Sequence, residues 1–140
     1  MVIRVSDYLN QVIISGRFFL PLFLFMKNTL TIGKNTESYV SEYLKKNGFC
    51  VIERNYRSNV GEIDIIASKN RTISFVEVKK IVSSWDVSDI SYKVSISKQY
   101  KIKRTASSYL AHHSDIKYDL ISFDVAAVQG NKVEYYKGAF

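Results

Sequence analysis

The chain has 140 residues, enough for one domain with its own core and too few for two ordinary ones. An apolar share of 46% with one proline and six glycines excludes a disordered chain, and a single cysteine excludes an internal disulfide framework and fits a reducing, cytoplasmic compartment. The net charge of +7 favours a polyanionic partner, nucleic acid ahead of a membrane surface, and no cysteine–histidine cluster has the spacing of a zinc site.

Residues 12–26 form the most apolar stretch, but Arg17 interrupts it and Pro21 would break a helix. The uninterrupted part, Phe18 to Met26, is well short of the roughly 20 residues that a spanning helix needs. A secretory signal would need a small-x-small cleavage site, and none follows. A membrane-associated protein using this segment is the remaining alternative. The patterning of a globular domain begins only after Met26, so the expectation is a start at Met26, with no membrane partner. Residues 1–27 are then an apolar extension, and 28–140 are the domain. Arg4 and Arg17 against Asp7 account for +1 of the charge, so the domain keeps +6.

Thr36 to Asn47 carries Tyr39, Val40, Tyr43 and Leu44 on one helical face, with Gly48 placed to stop it. Phe49 to Tyr56 reads as a strand holding Cys50 in the core, and Ser58-Asn59 as a turn. The strands Gly61–Ala67 and Ile73–Lys79 follow, joined by a polar turn from Ser68 to Arg71. Ile81 to Ser91 reads as a polar loop with Trp85 packed beneath it. Ser95 to His112 has a second helical pattern, with Ile102, Ala106, Tyr109 and Leu110 on one face. His112 and His113 at its end suit the helix dipole and receive no catalytic role. The last strands, near Tyr118–Val128 and Lys132–Lys137, meet at Gly130-Asn131. The order αβββαββ predicts an α/β domain with a mixed sheet flanked by helices.

Asp64, Glu77 and Lys79 stand in strands whose other residues are mostly Ile, Val and Phe, where a charge is costly unless something pairs with it. Side chains two apart on a strand share a face, so Glu77 and Lys79 project together, as do Glu62 and Asp64. Two carboxylates on adjacent strands can hold Mg²⁺, with Mn²⁺ as a substitute, and Lys79 would reach the same space. Glu37 on the first helix could approach as a third acid. The same residues on an exposed hairpin face would form surface ion pairs worth about 0–1 kcal/mol. The pattern alone leaves both readings open.

Lys93, Lys98, Lys101, Lys103 and Arg104 fall within twelve residues that contain no acid. On a helix, Lys98 and Lys101 stand one turn apart and could meet successive phosphates, or form a merely solvated face. Tyr39, Tyr43 and Tyr109 fall on apolar helical faces and are expected in the core.

Seven short motifs recur in order: Gly33-x-x-x-Glu37, Arg54-Asn55-Tyr56-Arg57, Gly61-Glu-Ile-Asp-Ile-Ile-Ala67, Phe75-Val-Glu-Val-Lys79, Ser97-Lys98-Gln99, Phe123-Asp124-Val125 and Ala139-Phe140. Over about residues 28–140 the chain resembles the YraN-type family of small bacterial proteins, similar in fold to Holliday-junction resolvases and restriction endonucleases. The resemblance implies a restriction-endonuclease-like, PD-(D/E)xK-type core. In it Asp64 and Glu77 match the metal-binding positions, Lys79 the catalytic lysine and Glu37 the helix-borne acid. Lys98 and Gln99 match a motif on the second core helix and, with Lys101 and Arg104, would hold the nucleic acid. The implied activity is Mg²⁺-dependent hydrolysis of DNA phosphodiesters rather than RNA, on branched or damaged DNA, by a homodimer if it acts like the resolvases. The alternative is a non-catalytic nucleic-acid-binding accessory module on the same fold. The chain departs from the family pattern at Ile81 and Ser122, where arginine is common, which implies weaker phosphate contacts.

Overall fold

A computed structural model describes residues 36–81 and 94–140. The apolar extension, Gly33, Trp85 and Lys93 lie outside the described residues. Seven elements follow in the order αβββαββ, namely α1 Thr36–Lys46, β1 Cys50–Ser58, β2 Gly61–Lys69, β3 Thr72–Lys80, α2 Ile96–His112, β4 Leu120–Gln129 and β5 Lys132–Tyr136. The five strands form one sheet in the order β1-β2-β3-β4-β5, antiparallel except where β3 pairs with β4 in parallel. This is the restriction-endonuclease-like α/β architecture that the motif order implies. Among the described residues, no helix is long and apolar enough to cross a membrane.

The local chemistry explains the boundaries. Gly48, at φ 82°, ends α1 in a conformation that favours glycine, and the amides of Gly48 and Phe49 return to the carbonyls of Lys45 and Leu44. Ser95 caps α2 by accepting a hydrogen bond from the Lys98 amide. β2 and β3 are joined by Asn70 and Arg71, both at positive φ (49° and 57°), the pair of conformations a two-residue hairpin turn prefers. The Arg71 carbonyl accepts hydrogen bonds from the amides of Asp119 and Leu120, and its side chain pairs with Asp119 at 2.6 and 2.7 Å.

The two faces of the sheet are covered by different helices. Val40 and Leu44 of α1 pack on Ile65, Ala67, Val76, Ala126 and Val128. Ile102, Ala106 and Tyr109 of α2 pack on Ile63, Ile66, Ile73, Phe75, Val125 and Ala127. Tyr109 is buried, and Tyr39 and Tyr43 pack against the α1-side core, as their helical spacing predicts. Cys50 is a correction: it is exposed, because β1 is an edge strand whose alternate residues face solvent.

One buried carboxyl organises the β4–β5 edge. Asp124 is fully buried and accepts hydrogen bonds from the Ser122 and Tyr135 hydroxyls and from the Gly138 amide at 2.8 Å. Ser122 is therefore turned toward Asp124, and an arginine there would meet that carboxyl. Asp124→Ala orphans three donors at once, and a loss of about 3 kcal/mol is expected in urea unfolding, against about 1 kcal/mol for Tyr135→Phe. Equal, small losses in both variants would show that the carboxyl is not the hub.

Candidate functional site

The site begins where two strands part. β2 pairs with β3 from Lys69 opposite Thr72 as far as Ile65 opposite Val76. From there β2 runs on beside β1 alone, to Gly61 opposite Ser58, while β3 continues beside β4, to Lys80 opposite Val128. Strict alternation also breaks at this point, since Ile63 and Ile66, three residues apart, share the α2-side core while Ile65 lies in the other. Asp64 sits in the fork. Its Oδ2 accepts a 2.7 Å hydrogen bond from the Val78 amide, so a side chain spans the gap that opens where the β2–β3 pairing stops.

Glu77 stands one residue past the last β2–β3 pair and is buried, its side chain only 5% exposed. Lys79 Nζ lies 3.0 Å from Glu77 Oε1, and Lys98 Nζ, from the first turn of α2, lies 3.5 Å from Glu77 Oε2. Oε2 is buried and has no hydrogen-bond partner among the described residues. Burial raises the Asp64 carboxyl from the ordinary 3.8 to about 6, against the lowering effect of the Val78 amide. That value includes the raising charges of Glu77 and, more weakly, Glu37, and the lowering charge of Lys98. These are not the residues of a solvated ion-pair face.

The other predicted residues divide. Glu37 lies in the first turn of α1, half-buried, where its charge is felt at Asp64. It does not complete a cluster: among the described residues, no three acidic, histidine or cysteine side chains converge as a metal-holding group. Lys101 is exposed and lines a groove of about 500 Å³ with Arg57, Ser58, Gly61, Glu62 and Lys98. Gln99 is half-buried and donates its amide to the Val94 carbonyl at 2.9 Å, fixing the start of α2. Arg104 is exposed, stacked over the Tyr100 ring at 5.8 Å. His112 and His113 contact the carbonyls of Ser108 and Tyr109, and His113 stacks on the Tyr109 ring at 4.0 Å, away from the acids of the fork.

Two features escaped the sequence reading, the place of Lys98 and the exposed ring of Tyr100. Lys98 belongs beside the acids, so two lysines, not one, stand against Glu77. The signal was its place just past the Ser95 cap, because a helix end can be aimed into a fork. Glu62 shares the strand with Asp64 but is half-exposed and pairs with Arg57 and Lys98. Tyr100, 63% exposed, is an aromatic platform in the basic run. Ile81, where family members often have arginine, instead packs against the α2-side core.

Comparison with known proteins shows a family. The model of the uncharacterised protein family UPF0102 matches residues 36–128, which include both arms of the fork. A UPF0102 protein of Alkaliphilus metalliredigens is 41% identical over 118 residues, covering 79% of this chain and 97% of its own length. One from Persephonella marina is 40% identical over 111 residues, covering 77% and 91%. One from Campylobacter fetus is 38% identical over 104 residues, covering 74% and 88%. With a family model over most of the chain and relatives matched along nearly their whole length, the chain belongs to the UPF0102 family.

Proposed function

We propose that the fork is a metal-dependent phosphodiesterase site and that the protein is an endonuclease acting on DNA, with branched or damaged forms as the substrates to test first. The observation that carries this reading is Glu77 Oε2, a buried carboxylate oxygen without a hydrogen bond and with only a long, 3.5 Å contact to Lys98, beside an Asp64 carboxyl forced up by burial. Both are hard oxygen donors, and Mg²⁺ commonly takes only one or two carboxylates and keeps several waters, so the pair fits it without a third acid. When bound, the ion would polarise a phosphate oxygen and lower the pKa of a water.

The chain's own residues supply the rest. Glu77 holds the Lys79 ammonium at 3.0 Å, where its charge can meet the charge that develops on the phosphate. Lys98 offers a second cation at the mouth of the fork. Glu37, sensed electrostatically by Asp64, would assist the metal or a water. Lys101, Arg104 and the α2 start fixed by Gln99 form the strand-holding side. Cutting at two symmetric positions would call for a homodimer.

A second reading, a binding module without turnover, draws on the same geometry. Lys79 and Lys98 both stand against Glu77, so the charge of that buried carboxylate can be held by the chain's own cations.

The two readings separate in a nuclease assay on duplex, single-stranded, flap and four-way-junction DNA. Metal-dependent cutting is expected with Mg²⁺, lost at least about 100-fold in Asp64→Ala and Lys79→Ala. Binding without cutting on every substrate would leave only the module.

Stability supplies a test without turnover. The folded Asp64 holds its proton more tightly than the unfolded chain, so ionising it weakens the fold. Stability is expected to fall as pH rises from about 4 through about 6, by about 2–3 kcal/mol relative to Asp64→Asn, whose amide oxygen can still accept from Val78. Millimolar Mg²⁺ at pH 8 should restore much of this in the wild type and none in the variant. A parallel pH dependence in both proteins, read by urea unfolding, would place the cost elsewhere.

A further inference from the structure

The groove beside the fork contains an acid in an otherwise basic setting. Arg57, Lys98 and Lys101 line it, and Glu62 stands among them, its side chain 51% exposed. The two oxygens of Glu62 face different cations, Oε2 lying 3.7 Å from Arg57 Nε and Oε1 lying 3.8 Å from Lys98 Nζ. Lys101 has no acidic partner among the described residues. The backbone makes this arrangement close. Gly61 lets β2 lie against α2, since a Cβ there would stand 3.0 Å from Thr105 Oγ1 and 3.6 Å from Lys101 Cβ.

We propose that this groove binds a phosphodiester of the DNA strand next to the one in the fork, and that Glu62 is its internal stand-in. A carboxylate that places one oxygen against each of two cations presents what the two non-bridging oxygens of a phosphodiester would present. Both Glu62 pairs are long and solvent-exposed, so they are weak and exchangeable. An arriving strand displaces the carboxylate and keeps the cations, with Lys101 adding a third. Arg57 thereby becomes a strand-positioning residue, and Lys98 links the groove to the acids through Glu77. The proposal rests on the nucleic-acid reading of the fork but not on turnover.

The test is fluorescence anisotropy with a labelled single-stranded DNA oligonucleotide in EDTA across a salt series, paired with the cutting assay in Mg²⁺. Glu62→Gln is expected to bind about 3–10-fold more tightly at low salt, with a salt slope steeper by about one ion. Arg57→Ala should bind about 3–10-fold more weakly, with a slope shallower by about one, and Arg57→Gln serves if the alanine variant fails to fold by circular dichroism. Unchanged or weaker binding by Glu62→Gln overturns the stand-in role. Loss of cutting in Glu62→Gln with unaltered binding does so too, by assigning Glu62 to the acids of the fork. Wild-type cutting that is indifferent to Arg57 removes the groove and leaves the nuclease. The predicted binding changes without cutting in any protein keep the groove and remove the nuclease.

Discussion

The parting of β2 from β3 after Ile65 and Val76 is the constraint on which the site depends. A sheet interior cannot leave a backbone donor without a partner, and here Asp64 supplies that partner at 2.7 Å. The carboxylate is thus fixed by the same gap that makes room for a ligand. Either strand alone would carry its acid as a common surface feature; together they hold Glu77 buried and Asp64 half-buried beside it.

Electrostatics then decides what else must gather there. Burying Glu77 would be prohibitive if it were alone, and the fold answers with lysines from two directions, Lys79 along the same strand and Lys98 from the start of α2. The Ser95 cap and the Gln99–Val94 hydrogen bond hold that helix start in place, so the motif around Lys98 has a structural duty as well as a charge. The motif Arg54-Asn55-Tyr56-Arg57 is divided in the same way. Arg54 bonds Ser38 at 2.7 Å, Asn55 takes a left-handed φ of 52°, Tyr56 meets the Tyr109 ring edge-on at 4.9 Å, and Arg57 turns to the groove.

Much of the fold was legible in the sequence because its signals are local. Gly48 stops the first helix, the apolar runs give β2 and β3, and Gly130-Asn131 joins the last two strands. The polarity of Ser122 and the exposure of Cys50 were not legible, since both depend on strand order, which no short window contains. For the site, the types of Asp64, Glu77 and Lys79 were visible, and so was the closeness of two acids. The fork itself was not, because it is a break in pairing rather than a residue pattern. Lys98 could be read as basic but not as a neighbour of Glu77, a relation that depends on where the start of α2 meets β3.

The hairpin turn at Asn70-Arg71 has a consequence for assembly. The Arg71 carbonyl receives both the Asp119 and Leu120 amides, so the first residue of β4 is anchored on a turn closed some fifty positions earlier. Parallel pairing is slow to find because the chain between its strands must first be ordered. A short antiparallel hairpin needs no such wait and can form first. Once formed, its turn offers the incoming strand a single starting notch, and the register of β3 with β4 follows from there.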